Sequence, residues 1–226
     1  MTSIGTLNES PLHAALKESY RRPGDEVEVP TEGFVADLRN GDSIIEIQTG
    51  SFSAMRNKFD TLLDRYQILL VHPIAQTKYV LKHDKDGNQL SRRKSPKRGV
   101  LSDICRELSS FPMLLSHPHF TLDVVMADIE EVRSPNATAK RRRGDLAVEY
   151  RQLIETKEVY HFTEPDDLLQ ILPPQLPDTF TTKDIATGLD VSRNKAQNVA
   201  YCLRTAEAIY EVDRSKAGIR YRRFDT

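Results

Sequence analysis

The stretch Phe34–Gly50, FVADLRNGDSIIEIQTG, alternates apolar and polar residues on either side of Asn40-Gly41. Asn-Gly between such segments is a strong signal for a two-residue type I′ turn, because both central positions of that turn need a positive φ. The sequence therefore predicts two antiparallel strands joined by Asn40-Gly41. In this register Arg39 pairs with Asp42, and Asp37 pairs with Ile44.

The two faces of the predicted hairpin differ in character, because side chains alternate along a strand and directly paired residues share a face. The apolar face, which we expect to be buried, carries Phe34, Ala36, Leu38, Ser43, Ile45 and Ile47. The second face carries Val35, Asp37, Ile44, Glu46 and Gln48. On that face Asp37 lies diagonal to Glu46, with about 7–8 Å between the backbones, so both carboxylates can reach one cation.

Asp37 and Glu46-x-Gln48, set across a hairpin and followed by a predicted helix, resemble the motif of the PD-(D/E)xK nuclease superfamily. The resemblance implies an α/β fold with a mixed-sheet, restriction-endonuclease-like core, in which Asp37 and Glu46 bind Mg²⁺ or Mn²⁺. Gln48 stands where the superfamily usually has Lys, and Ala36 stands where it usually has Pro. The resemblance thus implies Asp37, Glu46 and Gln48 as the catalytic residues. The run from Leu12 to Arg98 also looks like an uncharacterised prokaryotic family of nuclease-like proteins.

A second interpretation places the same polar residues on the solvated face of an ordinary hairpin. Ile44 and Val35 share that face, so it is not expected to be fully solvated, and a cation would offset the cost of carboxylates there. Glu9 is a further candidate metal ligand, since related nucleases often place a Glu on their first helix. Glu9 also has a simpler explanation, because a carboxylate near a helix N-terminus is stabilising by itself.

Charge is distributed unevenly in this 226-residue chain, although its net charge is only −1. Between Lys78 and Arg98 there are eight Lys or Arg residues against two Asp. Such clusters can follow the phosphates of a nucleic acid without reading its sequence. A solvated surface explains them equally well. The nucleic-acid-binding candidates in this region are Arg92, Arg93, Lys94, Lys97 and Arg98.

The last fifth of the chain, Phe180–Phe224, has the pattern of a winged helix-turn-helix. Helices are predicted at Lys183–Leu189 and Ser192–Thr205, and the wing is formed by Ile209–Val212 and Ile219–Phe224. The apolar residues of the second helix recur at helical spacing: Ala196, Val199, Ala200 and Leu203. The polar residues expected to contact DNA are Arg193, Asn194, Lys195 and Asn198, with Arg222 from the wing. Winged helices also bind proteins, so that alternative stays open.

The regions between these motifs give a simple order of elements. Strands are predicted at 26–30, 67–74, 78–83, 89–93 and 120–128, and helices from 11, at 51–65, at 103–115 and at 163–172. We expect a nuclease-like domain at 1–133, a basic connecting segment at 134–162 and a winged-helix domain at 163–226.

The function predicted from the sequence is metal-dependent hydrolysis of nucleic acid. The rival hypotheses are a DNA-binding or regulatory protein that has lost the chemistry, and a scaffold that uses the winged helix for protein contacts. Two separate cysteines and the lack of a signal-peptide pattern predict a cytoplasmic protein with reduced thiols and no membrane segment.

Overall fold

The computed structural model describes residues 9–111, 113–135, 142–143, 146–215 and 218–224, with backbone only at 142–143. Helix α1 spans Pro11–Tyr20, as predicted. Ser10 caps it, because the Ser10 hydroxyl accepts a hydrogen bond from the backbone N–H of His13 (3.3 Å), and Pro11 occupies its first turn. Leu12 and Leu16 form its buried side.

Three antiparallel strands follow α1: β1 (Glu26–Thr31), β2 (Phe34–Asn40) and β3 (Ser43–Ile47). The turn between β1 and β2 contains Glu32 and Gly33, which both have positive φ (48° and 83°). A type I′ turn requires a positive φ at both central positions. The sequence predicted such a turn between β2 and β3, but the positive φ pair occurs between β1 and β2.

The hairpin of β2 and β3 corrects the predicted register. Asn40 pairs with Ser43 and Arg39 pairs with Ile44, so Gly41 and Asp42 form the loop. Gly41 has a φ of 59°, and a type II′ turn places glycine at this first central position. Because the pairing moved by two residues, every side chain keeps its predicted face.

Beyond the hairpin, a 3₁₀ turn (Phe52–Met55) leads into helix α2 (Arg56–Leu62). The strands that follow are β4 (Gln67–His83), β5 (Gln89–Lys94), β6 (Phe120–Ser134), β7 (Arg142–Arg143) and β8 (Leu146–Phe162). Together with β1, β2 and β3, these strands form a mixed sheet with the order β1-β2-β3-β4-β6-β8-β7, and β5 pairs with β4. Mixed-sheet α/β architecture is confirmed.

Several strands are longer than predicted. Strand β4 is one element of 17 residues, where the sequence predicted separate strands at 67–74 and 78–83. Part of the expected connecting segment 134–162 is itself a strand of the sheet, since β8 lies beside β6. Residues 136–141 and 144–145 of that segment lie outside the described residues.

Helix α3 (Ile104–Leu108) is shorter than the helix predicted at 103–115, and two 3₁₀ turns lie around it at Leu101–Asp103 and Leu114–Ser116. In place of the α-helix predicted at 163–172, the structure has a 3₁₀ helix at Pro165–Ile171. Pro118 follows the turn at Leu114–Ser116, and proline lacks the N–H that a continuing helix would need.

The C-terminal elements are β9 (Thr179–Thr181), α4 (Thr182–Leu189), α5 (Arg193–Thr205), β10 (Ile209–Ser215) and β11 (Gly218–Arg223). The strands form an antiparallel sheet with the order β10-β11-β9. Helix α5 buries the predicted apolar stripe and also Cys202. Ser192 caps α5 by accepting a hydrogen bond from the N–H of Lys195.

The chain divides into two compact units that alternate along the sequence. The first contains Met1–Thr49, Leu70–Val100 and Val124–Tyr160, and the second contains Gly50–Leu69, Leu101–Asp123 and His161–Thr226. In the parts of the chain that the structure describes, no helix is both long and apolar enough to cross a membrane.

Candidate functional site

Asp37 and Glu46 lie on the same face of the β2–β3 hairpin. Extending the observed pairing by one residue beyond Leu38 and Ile45 places Asp37 directly opposite Glu46. Directly opposed residues have Cβ atoms about 4.5–5.5 Å apart, closer than the diagonal arrangement that the sequence predicted. The backbone N–H of Ile47 also donates to Asp37 Oδ2 at 2.8 Å, which fixes this carboxylate.

Helix α1 covers this face of the hairpin. The Nε2 atom of His13, on α1, lies 3.2 Å from Asp37 Oδ2. Glu46 is only 3% exposed, and its neighbour Ile44 is equally buried. The part of this face around Glu46 and Ile44 is therefore covered, whereas Val35 on the same face is 47% exposed.

A chain of charged side chains runs from Asp37 along α1. The Nδ1 atom of His13 lies 2.5 Å from Glu9 Oε1. Lys17 Nζ lies 2.8 Å from the same Glu9 oxygen and 3.0 Å from Glu28 Oε1. We call Glu9, His13, Lys17, Glu28 and Asp37 the α1 charge cluster. In this cluster His13 stands between Glu9 and Asp37.

The cluster shifts the pKa of its members through charge. Burial lowers the pKa of His13, but hydrogen bonds and the charges of Asp37 and Glu9 outweigh this and raise it above its usual value. Burial acts to raise the pKa of Glu9, yet Lys17 and His13 bring it below the usual value. Burial acts to lower the pKa of Lys17, but hydrogen bonds to Glu9 and Glu28 and the charges of these two residues raise it above its usual value. The pKa shifts of Glu9, His13 and Lys17 thus all favour the charged forms of these three side chains.

Gln48 follows β3 and is held by its backbone to β4. Its N–H donates to the carbonyl of Val71 (2.9 Å), and its carbonyl oxygen lies 2.6 Å from Nδ1 of His72. The Gln48 side chain is half-buried and belongs to the same alternating set as Glu46. The three residues predicted as catalytic therefore lie along one short segment of the hairpin.

The residues of the hairpin that could hold a metal are the two carboxylates of Asp37 and Glu46. Among residues 9–111, 113–135, 146–215 and 218–224, no three His, Cys, Asp or Glu side chains converge on one metal position. Mg²⁺ usually keeps several waters and takes one or two carboxylates together with substrate phosphates. A Mg²⁺ site at this hairpin would have at most these two carboxylates as protein ligands on the face described. Glu9 would reach the same cation only if His13 moved.

The predicted basic residues around β5 have two kinds of environment. Arg92 Nε donates to Glu130 Oε1 at 2.7 Å, and its guanidinium lies 4.1 Å from the centre of the Tyr79 ring. That arginine is thereby fixed to the sheet. All five candidates are nevertheless exposed: Arg92, Arg93, Lys94, Lys97 and Arg98.

The residues of α5 that were predicted to contact DNA also differ in their environment. Arg193, Asn194 and Asn198 are exposed, as is Arg222 on β11. Lys195 is half-buried, and its Nζ atom lies 2.5 Å from Asp103 Oδ1. Lys195 is thus engaged by a carboxylate of the second unit, and the prediction that it faces a nucleic acid has no support from its position.

A cleft of ≈ 370 Å³ lies between one side of α5 and the β10–β11 hairpin. Its lining from α5 is Arg193, Gln197, Tyr201 and Arg204, and Arg214 contributes from β10. The sequence interpretation did not include Tyr201, Arg204 or Arg214. Their signal was present in α5, because Arg193, Gln197, Tyr201 and Arg204 are spaced by four, four and three residues.

His13 and Lys17 were likewise missed on α1. Glu9, His13 and Lys17 are separated by four residues each, the spacing at which charged side chains of a helix meet. This pattern could have revealed the α1 charge cluster before the structure was known. Its link to Asp37 could not be foreseen, because that link depends on how α1 packs on the sheet.

Residues 10–163 match the family described as "Domain of unknown function (DUF8091)". The chain is also 31% identical over 191 residues to an "Uncharacterized protein" of Treponema pallidum (strain Nichols), a match that covers 84% of this chain and 76% of the relative. This chain belongs to the DUF8091 family. The family region contains the β2–β3 hairpin and ends before α4. No solved structure matches the chain.

Proposed function

We propose that this protein is a nucleic-acid-processing enzyme that hydrolyses phosphodiester bonds with a divalent cation held between Asp37 and Glu46. The observation that carries the proposal is the β2–β3 register, which places these two carboxylates on one face of the hairpin and, when extended by one residue beyond Leu38 and Ile45, opposite each other. Two carboxylates that face each other repel, and a divalent cation between them would offset that repulsion in addition to the His13 imidazole beside Asp37.

The order of elements supports a restriction-endonuclease-like core. Helix α1 precedes the antiparallel strands β1, β2 and β3, and the crossover containing α2 leads to β4, which lies beside β3. This is the arrangement that the resemblance to PD-(D/E)xK nucleases implies. Asp37 on β2 and Glu46 on β3 are the two acidic residues to which the resemblance assigns the metal.

The residues have distinct roles in the proposed reaction. Asp37 and Glu46 hold Mg²⁺ or Mn²⁺, and the Ile47 N–H keeps the Asp37 carboxylate oriented. A divalent cation at this position would polarise the phosphate and lower the pKa of a bound water. Gln48 orients the attacking water.

The second unit would anchor the nucleic acid. Helices α4 and α5, which contact each other and strands of the β10-β11-β9 sheet, support a winged helix-turn-helix, in which the start of α5 would reach the bases. Exposed Arg193, Asn194, Asn198 and Arg222 provide donors for bases and phosphates. DNA is the proposed partner. The two buried free cysteines support a cytoplasmic location.

The test of the proposal is cleavage of single-stranded, duplex and branched DNA with Mg²⁺ or Mn²⁺. We expect cleavage by the wild-type chain, a loss of at least about 100-fold in Asp37→Asn and Glu46→Gln, and retained or higher activity in Gln48→Lys. Glu26→Gln, an exposed carboxylate of β1, is the matched control. Calorimetric titration with Mn²⁺ should show the same loss of binding in the two site variants.

A second candidate function is non-catalytic nucleic-acid binding, and the position of His13 favours it. The imidazole lies 3.2 Å from Asp37 and supplies a positive charge at the place where a cation would bind. In this case the hairpin is a structural remnant of a nuclease-like core. Wild-type protein that binds DNA but neither binds Mn²⁺ nor cleaves any substrate would favour this second function.

A further inference from the structure

The cleft beside α5 has the size of a small-molecule site. Its volume of ≈ 370 Å³ lies within the range of about 300–1,000 Å³ that is usual for ligand pockets. One wall is formed by α5, and the opposite wall is formed by Gly218, Ile219 and Tyr221 of β11. The cleft therefore belongs to the second unit alone and is built on regular elements.

Positive charge is concentrated along this cleft. Arg193 and Arg204 stand near the two ends of α5, 11 residues or about 16 Å apart, and Arg214 faces them from β10. Glu211 orients Arg214, because Arg214 Nε and Nη2 donate to its carboxylate at 3.0 and 2.9 Å. Arginine has five N–H donors, so three remain for an anionic ligand.

An aromatic ring stands between the positive charges. Tyr201 is 45% exposed although it lies on a helix whose neighbouring residues Ala200 and Cys202 are buried. Its ring lines the cleft together with Gln197. An exposed aromatic side chain flanked by arginines is suited to stack on a nucleobase while the arginines contact its phosphates.

We propose that this cleft binds an unpaired nucleotide of single-stranded nucleic acid, by stacking the base on Tyr201 and contacting phosphates with Arg193, Arg204 and Arg214. A duplex accepts a helix into its major groove, about 12 Å wide. The cleft between α5 and β11 is instead a space inside the second unit, which is too small to admit a duplex. This inference rests on the proposed function, whose nucleic-acid substrate class it specifies as single-stranded.

The experiment compares a dye-labelled 12-nucleotide oligothymidylate with a 12-base-pair duplex by fluorescence anisotropy, using the full chain. We expect the single strand to bind more tightly. Tyr201→Ala should weaken its binding by about 5- to 100-fold, and Tyr201→Phe should retain it, because stacking needs the ring and not the hydroxyl. Phe224→Ala is the matched control, since Phe224 is 48% exposed in the same unit but does not line the cleft.

A second variant tests the phosphate contact. Arg204→Ala should weaken single-strand binding and reduce the slope of log affinity against log salt by about 0.7, the value for one phosphate on a single strand. A purely structural role of Arg204 would leave that slope unchanged, which would contradict the proposed contact.

The remaining outcomes separate this inference from the proposed function. Preferential duplex binding, or single-strand binding that Tyr201→Ala does not change, would overturn the inference and leave nucleic-acid processing intact. Thymidine monophosphate that binds as tightly as the oligonucleotide would show a free-nucleotide site instead. Absence of binding to either nucleic acid would overturn the inference and the proposed nucleic-acid partner together.

Discussion

At the scale of single residues, His13 is held by two carboxylates at once. Its Nδ1 atom lies 2.5 Å from Glu9 and its Nε2 atom lies 3.2 Å from Asp37. A neutral imidazole can donate from only one nitrogen, whereas imidazolium donates from both. The geometry therefore favours the protonated ring and agrees with the raised pKa of His13.

This proton makes the stability of the fold depend on pH. Because the pKa of His13 is higher in the folded chain than its usual 6.5, the folded state binds the proton more tightly than the unfolded state does. The stabilising contribution is complete below about pH 6.5 and is lost as the pH rises through the folded-state pKa. We expect His13→Gln to lower the free energy of unfolding by about 1–3 kcal/mol at pH 6 and by less at pH 9. Urea denaturation across this pH range measures the difference.

The control for this prediction is His83→Gln, which removes an imidazole from the end of β4. Subtracting the two pH profiles separates the His13 effect from changes common to both proteins. A His13→Gln deficit that is constant from pH 6 to 9 would mean that packing, and not the proton, accounts for the stabilisation by His13.

At the scale of elements, the turn between β2 and β3 determines how closely the two acidic residues approach. The loop is Gly41-Asp42, and Gly41 carries the positive φ of 59°. Asn40 instead remains in β2, opposite Ser43. No heavy atom lies within 4 Å of the place where a Cβ on Gly41 would be, so a side chain there is disfavoured by the backbone conformation alone.

One substitution in this turn distinguishes the observed loop from the Asn40-Gly41 loop that the sequence predicted, and another tests the positive φ that Gly41 has in either loop. Gly41→Ala should lower the free energy of unfolding by about 1–2 kcal/mol, because alanine is strained at this φ. Asn40→Gly should also destabilise the fold, by about 0.5–1 kcal/mol, because glycine weakens a strand interior. In the predicted type I′ turn, Asn40→Gly would instead be neutral or stabilising. Urea denaturation of both variants provides the measurement.

The sequence predicted the faces of β2 and β3 correctly, although its register was wrong. Face depends only on alternation, which survives a shift of two residues, whereas register depends on the backbone angles of one turn. Burial was the harder quantity to predict. Glu46 and Gln48 were expected beside a partly solvated surface, yet α1 covers Glu46, and the packing of a helix on a sheet is a long-range property.

The same limit explains the errors in element length. Strands β4 and β8 extend over 17 residues each because they pair with neighbouring strands of the sheet. Local sequence composition does not indicate which strands will be neighbours, so it does not predict this length. Helix α5 was predicted well, since its apolar stripe is local and strongly periodic. The site residues divide in the same way: Asp37 and Glu46 follow from strand alternation, whereas the cleft around Tyr201 depends on how β11 lies along α5.

At the scale of the whole molecule, the two units alternate along the chain, and the second unit is assembled from three separate segments. Helix α3, from the segment Leu101–Asp123, contacts α5. The thiols of Cys105 and Cys202 interact at this contact: the hydrogen bond to Cys202 and burial together raise the pKa of Cys105 well above its usual value. The ion pair of Lys195 with Asp103 joins the same two segments.

This organisation bears on the winged-helix domain that the sequence predicted at 163–226. A fragment with those boundaries would lack α3 and would expose the side of α5 that bears Cys202, which is 1% exposed in the full chain. We expect the fragment to fold incompletely on its own, because the exposed apolar area no longer contributes to stability. Its single cysteine should react with a thiol reagent within seconds, whereas both cysteines of the native full chain should react at least 100-fold more slowly.

Two further measurements make this prediction specific. Cys202→Ser in the fragment controls for the identity of the reacting thiol, and urea denaturation followed by circular dichroism tests cooperativity. A fragment that unfolds cooperatively and protects Cys202 as well as the full chain does would establish 163–226 as an autonomous domain. In that case the contact of α3 with α5 would be dispensable for folding, and nucleic-acid binding could be studied on the isolated fragment.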